Sequence, residues 1–227
     1  MNKRIIQIMV LVLLLIFSIS SIQNDKYYND AFKPFPFSKA NKSPFSVFLA
    51  SICGFKSLVA DYLWMDIVQY LGDKTKQKEN CDQLYAKTLD LVTIDPNYTY
   101  AYLATSGMLL FEMKETDKAI ELIQLGIKNN PKYWQLNLYL AAYTYSKSGN
   151  IKMAVNNIEI AVKQEVHPPL LERMLSSMYL KLADNEKERN YWMKKAASLW
   201  LYMYSESEDK ISRQYAKERL EKAGLFK

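Results

Sequence analysis

Asp95-Pro96-Asn97-Tyr98 and Asn130-Pro131-Lys132-Tyr133 are two versions of one short sequence, 35 residues apart. Three further features recur at the same spacing: a small residue, an alanine twelve positions later, and an isoleucine four positions after the alanine. They are Gly107, Ala119 and Ile123 in the first copy and Ala142, Ala154 and Ile158 in the second. A period of this length predicts stacked helical hairpins, in which small residues allow close helix contact and isoleucines fill the gap between hairpins.

These residues resemble the tetratricopeptide repeat family, whose pattern of apolar, small, aromatic, alanine and proline positions extends over about 34 residues. The clear copies run from Tyr100 to Pro131 and from Gln135 to Val166; a half copy lies in Leu84 to Tyr98 and a degenerate copy in Leu170 to Leu199. The resemblance implies an all-α fold, a right-handed superhelical array of antiparallel hairpins that we place at residues 45–204. The low content of glycine (6) and proline (7) also favours a helical protein.

Residues 1–22 have a different composition. Lys3 and Arg4 precede an apolar run from Ile5 to Ile19, which predicts that the amino terminus stays in the cytoplasm and the rest of the chain is translocated. The run is about 15 to 18 residues long, between a signal-peptide core and the roughly 20 residues of a comfortable membrane span. We expect a signal anchor that attaches the protein to the membrane through residues 5–22. A signal peptide cleaved near Ser18-Ile19-Ser20, with an exported soluble product, is the alternative.

Residues 23–44 contain Lys33-Pro34-Phe35-Pro36-Phe37, which cannot form a regular helix, so we interpret this segment as a semi-stiff tether. Its phenylalanines are suited to contact a partner, the lipid interface or the first hairpin.

Phe45 to Gly72 is predicted to be one long helix. Its apolar residues cover most of the cylinder, which predicts burial on more than one side. Asp61, Trp64 and Asp66 lie within it, and one interpretation makes them a docking surface for another protein. In the alternative, a buried aspartate bonds a neighbouring loop and Trp64 is a core residue. Residues 54–64 also resemble the opening helix of some membrane-anchored bacterial repeat proteins.

Residues 205–227 are predicted to form a helix that covers the end of the array. Ser205 and Glu208 have the spacing of a capping box, and Gly224 should end the helix after Ala223. An apolar stripe is expected on one side and charge on the other; the stripe consists of Ile211, Tyr215 and Leu220.

Composition argues against several functions. The net charge is +6, but lysines and glutamates are mixed without a basic block, so nucleic acid is not an expected ligand. One histidine, His167, and two cysteines are too few for a metal cluster, and no phosphate loop or nucleophile motif is present. We expect no enzyme activity, cofactor or small-molecule substrate. Cys53 and Cys81 should lie at opposite ends of the first hairpin, about 28 Å apart, too far for a disulfide.

In the tetratricopeptide family the first helix of each hairpin lines a concave groove that binds a segment of another protein. Carried over by position, the resemblance implies a groove at Met108, Phe111, Glu112, Leu136, Tyr139, Tyr143 and Lys147, together with Ala101, Ala104, Thr105, Leu140 and Ser146. Tyrosine and methionine favour apolar or mixed peptide surfaces. In the alternative interpretation, the tyrosines only pack the helices together.

The main functional hypothesis is a membrane-tethered protein-interaction scaffold on the outer, periplasmic side of the cytoplasmic membrane, supporting an envelope, pilus, secretion or transport assembly. Its partners would be proteins, themselves membrane-associated. A transient, pilotin-like assembly factor and an accessory subunit of a membrane enzyme are the alternatives.

Overall fold

The computed structural model describes residues 56–72 and 81–225. These stretches form nine α-helices and no strand: α1 Lys56–Gly72, α2 Cys81–Ile94, α3 Thr99–Phe111, α4 Thr116–Asn129, α5 Trp134–Ser148, α6 Ile151–Val162, α7 Leu170–Ala183, α8 Arg189–Glu206 and α9 Lys210–Lys222. The predicted anchor, the tether, the start of the first long helix and Cys53 lie outside the described residues. None of the helices in the described stretches is both long and apolar enough to cross a bilayer.

Each helix packs mainly on its neighbours in the chain. Consecutive helices contact one another from α1 to α9; beyond these, the main contacts join α3 to α5 and α7 to α9. In the first hairpin Lys56, at the start of α1, lies 3.7 Å from Asp95, just after the end of α2, so the two helices are antiparallel. Sequential packing of hairpins confirms the predicted all-α array, which is tetratricopeptide-like.

The repeated turn sequence joins successive hairpins. The Asn130 side chain donates to the carbonyl of Pro96 at 2.8 Å, so the turn of one copy bonds directly to the turn of the other. Tyr102 donates to the same carbonyl at 3.2 Å and accepts from Asn129 at 2.7 Å. These bonds hold the two turns together and give Pro96 and Asn130 a structural role.

The alanines and isoleucines of the repeat occupy the core, but one pair of small residues does not. Ala119, Ala154, Ile123 and Ile158 are all buried. By contrast Ala142 is exposed and Gly107 is half-buried, so the prediction of close helix contact at these positions was wrong. The close approach occurs at Gly126, where an added Cβ would lie 3.0 Å from the Tyr102 ring. Its equivalent 35 residues later is the fully buried Ala161.

The core consists of two clusters that meet at α5. The first extends from α1 to Leu136, Leu140 and Tyr143 of α5. The second begins with Ala141 of the same helix and extends through α6, α7 and α8 to Leu220 of α9. The degenerate copy contributes fully to this second cluster through Tyr179 and Trp192, among others, although it lacks the repeat alanine. Opposite sides of α5 thus belong to different clusters.

The last helix begins later than predicted. Helix α8 continues to Glu206, and the Ser205 hydroxyl donates to the Leu201 carbonyl at 3.0 Å instead of capping a new helix. Asp209 is the N-cap of α9 and accepts from the Ser212 backbone amide at 3.0 Å. The predicted capping box was therefore wrong, whereas the predicted end at Gly224, with φ of 69°, is confirmed.

The later start also changes which face of α9 is buried. Ser212, Ala216 and Leu220 lie inside, while Ile211 is 67% exposed, contrary to the predicted stripe. The outer face of α9 is charged apart from Ile211 and Gln214; its charged residues are Lys210, Arg213, Lys217, Glu218, Glu221 and Lys222.

Candidate protein-binding surfaces

Helices α3 and α5 form an aromatic surface around Phe111. This side chain is 61% exposed although it lies at the end of a helix whose other face is fully buried. Its ring meets the edge of Tyr143 at 6.3 Å between centroids, and Tyr143 in turn meets Tyr139 at 5.8 Å. Met108 and Tyr139 are partly buried beside it. The exposed Phe111 ring thus contacts Tyr143, which is itself packed against Tyr139 and forms the aromatic base of this surface.

Five of the residues predicted to line the groove lie in the core instead: Ala101, Thr105, Leu136, Leu140 and Tyr143. Leu136 is fully buried, and Tyr143 is 1% exposed, so neither side chain can contact a partner directly. The Tyr143 hydroxyl lies 3.1 Å from the Ser106 hydroxyl and forms a hydrogen bond between α5 and α3. Burial raises the pKa of Tyr143 to about 12, as expected for a phenol held away from water. The prediction was wrong for the five buried residues. Tyr143 faces α3, and Leu136 packs beside Gly126 of α4.

The charged residues predicted for the groove lie at its edge. Glu112 is exposed directly after Phe111. Lys147 forms an ion pair with Asp117 of α4, and its side chain remains about half exposed (53%). Lys147 is therefore accessible but already has an anionic partner on its own array.

The three residues singled out on α1 have different environments. Asp66 forms an ion pair with Lys87 of α2, so it holds the first hairpin together. Trp64 is half-buried, with its ring 5.1 Å from that of Tyr100 and 6.1 Å from that of Tyr98. Asp61 is exposed and accepts a hydrogen bond from the Tyr98 hydroxyl. The alternative of a buried aspartate was wrong for Asp61, whereas the partial burial of Trp64 agrees with a core contribution.

Burial and then the Asp61 carboxylate raise the pKa of Tyr98. The phenol thus stays protonated as the donor, and Asp61 remains the acceptor at the edge of the aromatic cluster formed by Trp64, Tyr98 and Tyr100.

The outer face of α1 is apolar and exposed, which the sequence analysis did not predict. Leu58 is 64% exposed, Met65 58% and Val68 46%. With Asp61 they follow the three- and four-residue spacing of one helical face. Burial of α1 on more than one side, which was predicted from the apolar residues around the cylinder, was wrong for the described residues. Only Ala60, Ile67 and Tyr70 are buried in α1.

Other candidate chemistry in the described stretches is structural. His167 lies 2.8 Å from the Gln164 carbonyl through Nδ1 and 3.3 Å from Glu172 through Nε2, and so ties the α6–α7 turn to α7. Cys81 has a free thiol, which donates to Glu115 at 3.5 Å and accepts from Lys118 at 3.3 Å. Within the described ranges no group of His, Cys, Asp and Glu side chains has the arrangement of a metal site.

The fold and these surfaces define a tetratricopeptide-like helical-repeat protein with exposed apolar patches. No protein-family model matches the chain, and no curated protein is significantly similar to it.

Solved structures with a similar helix arrangement include three of MamA. A double mutant of MamA from strain RS-1 has 13% identity, with 69% of this chain and 91% of that chain covered and a TM-score of 0.36. MamA from strain AMB-1 has 14% identity; the match covers 68% of this chain and 87% of that chain, with a TM-score of 0.39. MamA 41-end from Desulfovibrio magneticus RS-1 has 13% identity; the match covers 69% of this chain and 92% of that chain, with a TM-score of 0.36. Because these scores are low, the fold assignment rests on the helix order and contacts of the chain itself.

Proposed function

We propose that this protein is a non-enzymatic, membrane-tethered scaffold that binds a segment of another protein on the α3–α5 surface. In this proposal residues 5–22 hold it in the cytoplasmic membrane and the array lies on the outer side. There it supports an envelope, pilus, secretion or transport assembly.

The observation that carries the proposal is the exposure of Phe111. A large aromatic side chain left in water forgoes about 1.5–3 kcal/mol that burial would provide. Here the side chain has a rigid base, since Tyr143 is fixed by burial and by its hydrogen bond to Ser106. Rigid aromatic side chains bind at little entropic cost and are typical anchors of protein interfaces.

The surroundings of Phe111 indicate the chemistry of the ligand. Met108 and Tyr139 offer further apolar contact, and Glu112 and Lys147 provide charges of both signs at the edge. A segment with one or two large apolar side chains and mixed charge fits this surface. A purely acidic ligand would be repelled by Glu112, and a purely basic ligand would be repelled by Lys147.

Site-specific photo-crosslinking tests the surface. A photoreactive phenylalanine analogue at Phe111 should form an adduct with a defined protein in native membranes. The same analogue at Ile160 is the matched control, because Ile160 is a 46% exposed apolar residue on α6. The double variant Phe111→Ala, Tyr139→Ala should lose the partner on co-purification. A partner that is retained by the double variant, or crosslinked equally from Ile160, would refute the proposed surface.

Membrane attachment is tested separately. The full chain should stay in the membrane pellet after carbonate extraction, and deletion of residues 5–22 should move it to the soluble fraction. A full-length protein recovered alone and freely soluble after lysis would contradict the tethered scaffold. A partner that dissociates once its own assembly is complete would indicate the transient escort instead.

A further inference from the structure

An exposed carboxylate lies beside three aromatic rings where α1 meets the start of α3. Asp61 is exposed on α1 and accepts a hydrogen bond from the Tyr98 hydroxyl. The Trp64 ring lies 6.1 Å from that of Tyr98 and meets the ring of Tyr100 edge-on, at 5.1 Å and 78°. Tyr100 is itself 61% exposed. We call Asp61, Trp64, Tyr98 and Tyr100 the amino-end cluster.

The Asp61 carboxylate has a hydrogen-bond donor but no cationic partner in the described part of the chain. Asp66, five residues later on the same helix, has Lys87 as its partner. Among the described lysines and arginines, none forms an ion pair with Asp61. A carboxylate has about four acceptor positions, and the Tyr98 hydroxyl uses one of them. The others are available to a further donor.

The same set of groups occurs a second time in the array, around the ammonium of Lys195. This ammonium donates to the Glu159 carboxylate at 2.7 Å. It also lies 5.5 Å from the ring centroids of Tyr179 and Trp192 and 5.4 Å from that of Tyr191. The Tyr179 hydroxyl donates to the same carboxylate at 2.8 Å. Tyr191 and Trp192 are in edge-on contact, at 4.7 Å and 78°. We call these five residues the Lys195 cluster.

The two clusters correspond group by group. Each has a carboxylate that accepts from a tyrosine hydroxyl, and each has a tryptophan and a second tyrosine in edge-on contact at the same angle. The second tyrosine is exposed to a similar degree, 61% for Tyr100 and 56% for Tyr191. Among the described residues, only the Lys195 cluster also contains a basic side chain. Aromatic rings attract cations, and a neighbouring carboxylate adds a charge-assisted hydrogen bond.

We propose that the amino-end cluster binds a lysine or arginine side chain of a partner protein. The ammonium or guanidinium lies against the rings of Trp64 and Tyr100 and donates to Asp61, as Lys195 does to its own carboxylate. Tryptophan, tyrosine and arginine are the residue types that contribute most to binding at protein interfaces.

The neighbours of Asp61 further define the segment that carries the basic residue. Leu58 and Met65 lie about one turn to either side of it and are 64% and 58% exposed. Apolar residues next to the basic residue of the partner would cover these two side chains. The partner segment should therefore combine one basic residue with apolar neighbours.

This second surface is separate from the one proposed around Phe111. Tyr100 and Phe111 lie at opposite ends of α3, about 16 Å apart along the helix axis. Each surface can thus be disabled without changing the other.

Binding of short peptides to the full chain in detergent tests the amino-end cluster. The probes are acetyl-Gly-Arg-Gly-amide and acetyl-Gly-Lys-Gly-amide, and the matched control peptide contains citrulline, which has the shape of arginine without its charge. Fluorine NMR of the fluorotryptophan-labelled protein reports on Trp64, whose signal is assigned by its loss in Trp64→Phe. At least one basic peptide should shift this signal in a saturable way, several times more than the citrulline peptide. Equal shifts, or no shift with either basic peptide, would overturn the proposal.

The variant Asp61→Asn tests the role of the carboxylate. Asparagine can still accept from Tyr98, so the fold should be kept, which circular dichroism checks. The response to the basic peptide should fall to the level of the citrulline peptide. Glu165→Gln is the matched control, because it removes one exposed carboxylate from the α6–α7 turn, and it should leave the response unchanged. A response that survives Asp61→Asn, or that both variants reduce equally, contradicts the proposed site.

Photo-crosslinking in intact cells tests the partner. A photoreactive phenylalanine analogue at Tyr100 should form an adduct with a defined protein, at a segment that contains a lysine or arginine. Asp61→Asn should lower the yield of this adduct about tenfold, whereas Glu165→Gln should not change it. An adduct that is insensitive to Asp61→Asn would overturn the proposal. The absence of both an adduct and a peptide response would mean that a lysine of the same chain occupies the site, and would overturn it as well.

Discussion

The terminal helices α1 and α9 differ in the chemistry of their solvent-facing sides. At the carboxyl end α9 buries Ser212, Ala216 and Leu220 and presents a polar, largely charged face to water, with Ile211 as its apolar exception. At the amino end α1 buries Ala60, Ile67 and Tyr70 but presents Leu58, Met65 and Val68 to water. Both helices are terminal in the described array, and both have a well-packed inner face. The difference lies on the outside alone.

The contrast shows that only one end of the described array is complete by itself. A solenoid exposes the hydrophobic face of its last hairpin unless a polar helix covers it. Helix α9 provides this cover, and it is joined to α7 by Arg173, which donates to Asp209 at 2.7 Å and to Ser212 at 2.8 Å. At the opposite end of the described array, α1 presents apolar side chains to water instead.

The largest expected effect comes from the inner faces, where the two ends should behave alike. Ile67→Ala in α1 and Leu220→Ala in α9 each remove a fully buried side chain, so each should lower the free energy of unfolding by about 2–5 kcal/mol. Denaturant unfolding of the full chain in detergent measures both, with Ile211→Ala as the surface control. A loss below about 1 kcal/mol for Ile67→Ala would mean that α1 is not packed on the array and that the comparison fails.

The outer faces should respond differently at the two ends. Glutamates at Leu58, Met65 and Val68 should lower the binding of a hydrophobic dye, because three exposed apolar side chains of one face are removed. Ile211→Glu should lower dye binding much less, since Ile211 is a single exposed apolar side chain on a polar face. Helicity measured by circular dichroism checks that the triple variant is folded. Equal dye binding by the triple variant and the unmodified chain would remove the asymmetry we describe.

Acid should loosen the carboxyl end in particular. Hydrogen bonds from Ser212, and then from Arg173, lower the pKa of the Asp209 carboxyl below its ordinary value. Because the pKa of Asp209 is lower in the folded than in the unfolded protein, where it is near 4, the ionised carboxyl stabilises α9 above about pH 4. This contribution is lost as the pH falls through the folded-state pKa. Amide protection in α9, corrected for intrinsic exchange, should therefore fall several-fold below about pH 4. Asp209→Asn keeps the cap without the titration, so it should abolish the pH dependence; a persistent dependence would assign it to another group.

The smallest effect is expected at Ile211 itself. Because this side chain is 67% exposed, Ile211→Ser should change the free energy of unfolding by no more than about 0.5 kcal/mol. A larger loss in the same denaturant experiment would show that Ile211 is covered in solution, and that the carboxyl end also carries a docking site.

The fold could be predicted because its signal is repeated. Ala119 and Ala154 are both buried, and the isoleucines that follow them fill the core as their spacing predicted. The close approach of helices at Gly126 was missed, because a glycine in mid-helix gives no apolar signal. The late start of α9 was missed because Ser205 and Glu208 have the spacing of a capping box. In the structure α8 extends to Glu206, so Ser205 lies inside that helix and cannot cap the next one.

The binding surfaces were less predictable, for a geometric reason. Transfer by position assigns a residue to the groove from its place in the repeat. The rotation of the residue's own helix decides whether its side chain faces a neighbouring helix or water. Tyr143 faces α3 and Phe111 faces water, although both were assigned to the groove. On α1 the many apolar residues indicated burial on several sides. The exposed residues Leu58, Asp61, Met65 and Val68 instead share one face of the helix at a spacing of three and four residues.

The division of the core at α5 has a consequence for how the protein is made. The first cluster needs no residue beyond Tyr143, and its contacts join helices that follow one another in the chain. It can therefore close while the second half of the chain is still being synthesised, since domains and repeat units with local contacts fold as they emerge. The aromatic base of Phe111 would then be complete before α7, α8 and α9 exist, so a partner could be engaged by a nascent chain.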